Sequence, residues 1–220
     1  MLDIKTEIEK LQGLYKTDPR QHTFNLLVLG EMGCGKTFLA RTARFPVHID
    51  SFDPGGTKGL SKWISAGDIV VDSSYESEDP KKPMAYMKWK QDFRARVESG
   101  YFKHFGTYML DSATSWSEAI MNWILQRSGI AGEAPRFTKD YVPQKLEIRN
   151  YVRLMLDLPC DFVLTGHLRI VEEPDGKNRF RFMTTGQGMV VIPLLFDEIY
   201  ILNTKESSGG INSQLLTRNT

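Results

Sequence analysis

The sequence predicts an α/β fold with a central parallel sheet and antiparallel strands added near the C-terminus. Three observations carry that prediction. Short apolar runs of strand length alternate with stretches of helical periodicity between Phe24 and Thr165. Glycine-rich Gly30-Glu-Met-Gly-Cys-Gly-Lys-Thr37 lies between an apolar run and a helix-forming stretch. A second apolar run, Tyr108-Met-Leu-Asp111, ends in a carboxylate.

The elements follow in order. Residues 2–16 place Ile4, Ile8, Leu11 and Tyr15 on one helical stripe, which either packs on the core or serves a neighbouring subunit as a handle. Thr17-Asp-Pro-Arg-Gln-His22 ends that helix. Phe24–Leu29 is a buried parallel strand, and Thr37–Ala43 starts a helix. Pro46–Asp50 forms a second strand before the turn-rich Asp53-Pro-Gly-Gly56, and Asp68–Asp72 a third. An acidic loop, Ser73–Pro80, leads to a helix reaching about Ser99. Thr107–Asp111 is the fourth strand, followed by a helix over Ser115–Arg127. A loop over Ser128–Pro135 precedes a long helix from about Pro143 to Leu158, and Asp161–Thr165 is the next strand. Leu168–Met183 reads as a hairpin turning at Pro174-Asp-Gly176. Val190–Asn203 and Asn212–Thr217 complete the sheet. With no repeat or low-complexity linker, residues 1–220 are expected to form one domain, with 1–20 a candidate oligomerisation element.

Composition sets bounds on function. The chain is long enough for one large core. Its 28 basic and 27 acidic residues give a net charge of +1, so any nucleic-acid surface must be local. No apolar run reaches the roughly 18 residues a membrane span needs, so no membrane partner is expected. The mixed, charged Met1–Glu7 is unlike a secretory signal. Cys34 and Cys160 lack metal-ligand spacing and suit reduced thiols in a cytoplasmic compartment.

Gly30–Thr37 is a complete G-x-x-x-x-G-K-[ST] loop. Gly30, Gly33 and Gly35 let backbone N–H groups curl around phosphate oxygens, with Glu31, Met32 and Cys34 completing the loop and Phe38 following it. Lys36 reaches the β and γ phosphates, and the Thr37 hydroxyl is placed to ligate Mg²⁺. The following helix N-terminus adds partial positive charge. The expected ligands are therefore ATP and Mg²⁺. The companion carboxylate, which holds the metal through water, is Asp111, with Asp50 as its rival. Neither the Arg-rich lid of small-molecule kinases nor the N-K-x-D motif of GTPases appears. Hexameric ATPases of the AAA+ type usually place Glu directly after the Asp, whereas Ser112 follows here.

Gly30–Thr37, Asp50-Ser-Phe-Asp-Pro-Gly-Gly56, Tyr108-Met-Leu-Asp-Ser112, Leu164-Thr-Gly-His167 and Ile192-Pro-Leu-Leu-Phe-Asp-Glu-Ile-Tyr200 together resemble the RecA-like P-loop ATPase core over roughly residues 24–217. The resemblance is nearest to small phage-encoded members associated with recombination and single-strand annealing. It implies that the Thr165 strand lies between the phosphate-loop strand and the Asp111 strand. It puts His167 where RecA proteins carry a γ-phosphate-sensing Gln. A water-orienting carboxylate is then expected after the third strand, at Glu76 or Glu78; an ungapped comparison favours Glu78, with Asp72 and Asp53 as fallbacks. Single-stranded DNA as partner, self-association as filament or ring, and a bacterial host cytoplasm are further implications. The rivals are a helicase-like or DNA-packaging motor of the same superfamily and a nucleotide-dependent protein switch.

The hairpin carries Arg169, Lys177, Arg179 and Arg181, with Phe180 and Phe182 interleaved. Arginines on phosphates and aromatics under bases suit single-strand binding. Alternatively, one arginine acts in trans on a neighbour's γ-phosphate, or the hairpin is scaffold with its phenylalanines covering the core. A second basic group, Lys81, Lys82, Lys88, Lys90, Arg94, Arg96, Lys103 and His104, is interrupted by Asp92 and Glu98 and reads as solvated surface. Trp116, Met121 and Trp123 read as helix-to-sheet packing.

Overall fold

The computed structural model describes residues 2–172, 178–183, 192–207 and 210–218. The strands are β1 (Asn25–Gly30), β2 (Val47–Ser51), β3 (Ile69–Asp72), β4 (Thr107–Asp111), β5 (Asp161–Glu172), β6 (Asn178–Phe182), β7 (Glu198–Ser207) and β8 (Gly210–Arg218). They form an 8-stranded sheet in the order β3-β2-β4-β5-β1-β7-β8, with β6 on β5. All pairings are parallel except β5–β6 and β7–β8. Strand β5 thus sits between β1 and β4. The register sets Gly30 beside His167 and Ser51 beside Asp111, so the phosphate loop and the acidic strand end meet at one edge of the sheet.

The helices are α1 (Ile4–Thr17), α2 (Ser61–Ala66), α3 (Ala85–Glu98), α4 (Ala113–Arg127) and α5 (Phe137–Leu156). One sheet face packs on α3, α4 and α5, through Trp89, Phe93, Trp116, Tyr151 and Met155. The other face, with Leu26, Val28, Ile49, Met109 and Val163, lies under shorter segments including Leu39, Ala40, Leu60 and Trp63. Covering both faces explains why β2 and β4 are buried throughout, with Tyr108–Leu110 reading as a continuous apolar run while β2 buries His48, Asp50 and Ser51 as well. Trp116 and Met121 are buried and Trp123 is packed against the core, as the sequence predicts. No helix among the described residues is long and apolar enough to cross a membrane.

Several elements differ from expectation, each for a physical reason. Among the described residues the stripe on α1 is not buried against the core: Ile4, Ile8, Leu11 and Tyr15 are 69%, 50%, 55% and 66% exposed. The core-packing alternative is therefore withdrawn. The segment after the phosphate loop is a 3₁₀ turn, Thr37–Thr42, rather than an α-helix. From the end of β1 the chain must reach the start of β2 three strand positions away, about 14 Å sideways and about 17 Å back. After the 3₁₀ turn, residues 43–46 bend into the start of β2.

Helix α5 starts at Phe137, not Pro143, because the Asp140 carboxylate accepts a hydrogen bond from the Arg136 backbone N–H at 2.7 Å and pairs with its guanidinium at 2.9 Å. Pro143 then costs the helix one backbone bond. Strand β5 runs past Thr165 to Glu172 because β6 supplies hydrogen-bonding partners for residues 168–172. The expected strand over 190–203 is shorter: Pro193–Leu195 is a 3₁₀ turn and β7 begins at Glu198. Residues 190 and 191, and the hairpin turn at 174–176, lie outside the described residues.

The second basic group is not uniformly solvated. Lys88 pairs with Asp92, Lys90 with Glu147, and Arg94 donates to the Tyr151 hydroxyl. Arg96 bridges Asp50 at 2.8 Å and Asp72. Asp50 is wholly buried and also accepts from Trp89 Nε1 at 2.9 Å and the Tyr108 hydroxyl at 2.8 Å. Replacing Arg96 by Ala strands that carboxylate without its cation, and the expected loss is about 3–5 kcal/mol of unfolding free energy by denaturant titration near pH 7. A loss below about 1 kcal/mol would show that the remaining partners suffice. Burial pushes the Asp72 carboxyl up, but hydrogen bonds from Ser74, Arg96 and Tyr75 outweigh it and hold it well below the usual range. Its stabilising contribution is present above the unfolded value near 4 and is lost as pH falls below it. Arg96→Ala should also flatten that acid-side loss.

Candidate active site

The phosphate loop owes its shape to its glycines. Gly33 and Gly35 adopt φ of 76° and 98°, the left-handed region that side chains rarely enter. At Gly30 a Cβ would stand 2.7 Å from the Leu202 carbonyl oxygen of the adjacent β7. Lys36 is nearly buried and folds back over the loop, donating to the Gly30 and Glu31 carbonyls at 3.0 and 2.8 Å. Its ammonium is 3.3 Å from His167 Nδ1.

Below the loop, the Thr37 hydroxyl donates to Asp111 Oδ2 at 2.6 Å, and the Thr165 hydroxyl donates to Asp111 Oδ1. Burial pushes the Asp111 carboxyl up, opposed by these hydroxyls and Lys36 and reinforced by the charge of Asp53. A Cβ at Gly56 would lie 3.6 Å from Asp111 Oδ2 and 3.9 Å from Thr37 Oγ1, so the Gly56 turn lies directly against the pair. Among the described residues no three His, Cys, Asp or Glu side chains cluster as a metal cage. Two hard oxygens on an otherwise open cleft fit Mg²⁺, which keeps several waters and borrows substrate phosphate oxygens. Asp50, the rival carboxylate, is instead committed to Arg96, Trp89 and Tyr108.

A third feature is a pair that the sequence named only in part. His167 Nε2 lies 3.1 Å from Asp53 Oδ2. Lys36 can only donate, so Nδ1 accepts and Nε2–H donates to Asp53, which assigns the tautomer. The other Asp53 oxygen accepts from the Ser112 hydroxyl at 3.0 Å and from the Ser115 hydroxyl. Burial pushes this carboxyl up, but bonds from His167, Ser115 and Ser112 prevail and keep it below its ordinary value. The His167 backbone N–H is in turn held by Thr114 Oγ1 at 3.1 Å. Lys36, Thr37, Asp53, Asp111, Ser115 and His167 line a single cleft of about 550 Å³. Asp53 appeared in the sequence only as a fallback; its signal was a carboxylate beside Pro54-Gly55-Gly56 just past an apolar strand.

The two glutamates lie apart. Glu76 accepts from the Ser51 hydroxyl at 2.7 Å and the Gly55 N–H at 2.9 Å, bracing the turn that carries Asp53. Glu78 accepts from the Ala85 and Met84 N–H groups at 2.9 and 3.3 Å, at the start of α3. In the hairpin, β5–β6 pairing sets Arg169 opposite Arg181 and Val171 opposite Arg179. Lys177 lies outside the described residues. Phe182 is buried against Leu168 and Gly166 and does not present its ring for base stacking.

A family model described as an AAA domain matches residues 23–220. No curated protein matches the chain. Among solved structures, a KaiC-like protein from the hyperthermophilic archaeon Pyrococcus horikoshii is similar at 12% identity and a TM-score of 0.51, covering 89% of this chain and 79% of that one. The flagellar accessory protein FlaH from Methanocaldococcus jannaschii is similar at 12% identity and a TM-score of 0.47, covering 89% and 78%. At such identity the first likeness speaks for the fold alone.

Proposed function

Since the chain belongs to the AAA domain family and has the RecA-like P-loop ATPase fold, we propose that it is an Mg²⁺-dependent ATPase acting on single-stranded DNA in phage recombination or strand annealing. The family description is here compatible with Ser112, rather than Glu, after the strand-ending Asp111. The observation that carries the ATPase part is the convergence of Lys36, Thr37 and Asp111 with the His167–Asp53 pair in one cleft. Lys36 holds the β and γ phosphates by exchanging its loop carbonyls for phosphate oxygens. Thr37 and Asp111 hold Mg²⁺, which when bound supplies the charge that offsets the phosphates. Asp53, ionised and oriented by His167 and two serines, holds the attacking water and accepts its hydrogen bond. His167 bridges Lys36 and Asp53, so a change at the phosphates reaches β5 and the hairpin beyond it.

The DNA part is supported by that continuity and by the hairpin sequence. The test is ATP turnover with and without single-stranded DNA, with electron micrographs of the mixture. Stimulation and filaments are expected; turnover indifferent to DNA would favour a nucleotide-dependent protein switch, and rings translocating on DNA a motor. Replacing Arg179 and Arg181 together by Ala should flatten the salt dependence of single-strand binding by roughly 0.7 log units per lost contact, with little change in basal turnover. A fall of about 10³ in basal turnover would instead identify an arginine acting in trans.

A further inference from the structure

The cleft extends beyond what the phosphates and metal need. Its wall is the 3₁₀ turn Gly56–Leu60, which gives the cleft a direction. Gly56 faces Asp111 and Thr37, while a Cβ at Gly59 would lie 3.7 Å from Phe38 Cδ2. Gly56 and Gly59 are one 3₁₀ turn, about 6 Å, apart along that wall, so the Phe38 ring flanks it one turn on from the metal pair. A nucleotide whose terminal phosphates lie at the carboxylate end must carry its sugar and base toward Phe38.

That end is built differently. The Arg41 guanidinium sits 4.3 Å over the Phe38 ring centroid, and Trp63 meets the ring edge-on at 5.7 Å. These contacts support the ring from behind and from the side, yet it remains 38% exposed and lines the cleft. Met32, 88% exposed, and buried Leu60 complete the surroundings. Met32, Phe38, Gly59 and Leu60 carry no side-chain hydrogen-bonding group for a base edge, and the donors nearest the ring, on Arg41 and Trp63, belong to the side chains that support it. Stacking on a π-face tolerates different bases, whereas discrimination by large factors needs polar groups that the wrong base leaves unpaired.

Building on the ATPase assignment, we propose that Phe38, backed by Arg41, is the stacking platform for the nucleotide base, and that this slot accepts adenine and guanine alike. The experiment is calorimetric titration of the full chain with ATP, GTP and inorganic tripolyphosphate, each with Mg²⁺. The wild type should bind ATP and GTP within about tenfold of each other. Phe38→Ala and Phe38→Leu should each weaken both nucleotides by about 5- to 100-fold and leave tripolyphosphate unchanged, while Phe38→Tyr retains the wild-type affinities. The leucine variant keeps apolar bulk, so it separates loss of the π-face from loss of packing. Unchanged ATP affinity in Phe38→Ala overturns the proposal. So does equal weakening of ATP and tripolyphosphate, which would make Phe38 a support of the phosphate loop. A preference for ATP over GTP beyond about a hundredfold overturns the base tolerance. A wild type that binds neither ATP nor tripolyphosphate would sink the phosphate site itself, whereas one that binds tripolyphosphate but not ATP sinks only the stacking slot.

Discussion

Lys36→Ala is expected to weaken ATP binding by at least about 10²-fold while the protein stays folded. The lysine ammonium is the one cation the phosphate loop itself supplies, and charge-assisted hydrogen bonds of this kind contribute about 1.5–3 kcal/mol each. In the structure those donors rest on the Gly30 and Glu31 carbonyls and beside His167 Nδ1. Their loss removes ordinary hydrogen bonds but also relieves a buried charge, so unfolding free energy should change by no more than about 1.5 kcal/mol. Calorimetry with ATP, paired with a denaturant titration, separates the two effects. Wild-type ATP affinity in a folded Lys36→Ala protein would refute the phosphate site.

Asp53→Asn is expected to lower ATP turnover by about 10²- to 10⁴-fold, the usual worth of a positioned acid–base group, with nucleotide affinity nearly unchanged. The substitution is close to isosteric. Ser112 and Ser115 can still donate to the amide oxygen, but the amide nitrogen then faces His167 Nε2–H, donor against donor. Glu78→Gln should leave turnover near wild type, because its carboxylate serves the first turn of α3. Glu76→Gln should cost less than Asp53→Asn, since Glu76 braces the turn from behind through Ser51 and Gly55. Single-turnover kinetics on the three variants decides the assignment. If Glu76→Gln alone traps bound nucleotide, the water is oriented from β3's side and Asp53 has only a structural role.

How much of this was legible in the chain follows from the range of the interactions involved. Gly30–Thr37 could be recognised because a phosphate loop is local: its glycines, Lys36 and Thr37 act within one turn of backbone. The strands could be recognised because burial on both faces writes itself as continuous apolar runs, as in Leu26–Leu29 and Tyr108–Leu110. The α/β class and the antiparallel strands at the C-terminus were therefore legible without coordinates. The β1–β5–β4 order was suggested only by resemblance, since apolar runs do not say which strands are neighbours.

Tertiary structure decided everything that depends on distance across the sheet. Asp53 and His167 are 114 positions apart in the chain and meet because parallel pairing gathers strand ends at one edge. No periodicity could foretell that contact, nor that Glu78 would cap a helix while Asp50 turned to Arg96 and Trp89. The Thr37–Thr42 segment has residues that suit an α-helix, yet it forms a 3₁₀ turn on the way from β1 to β2, which its local sequence does not announce. The sequence by itself determined which groups could bind phosphate and where strands and helices lie. Only the folded sheet decided which carboxylate faces the cleft, because side-chain neighbours are set by strand order and crossover length rather than by sequence spacing.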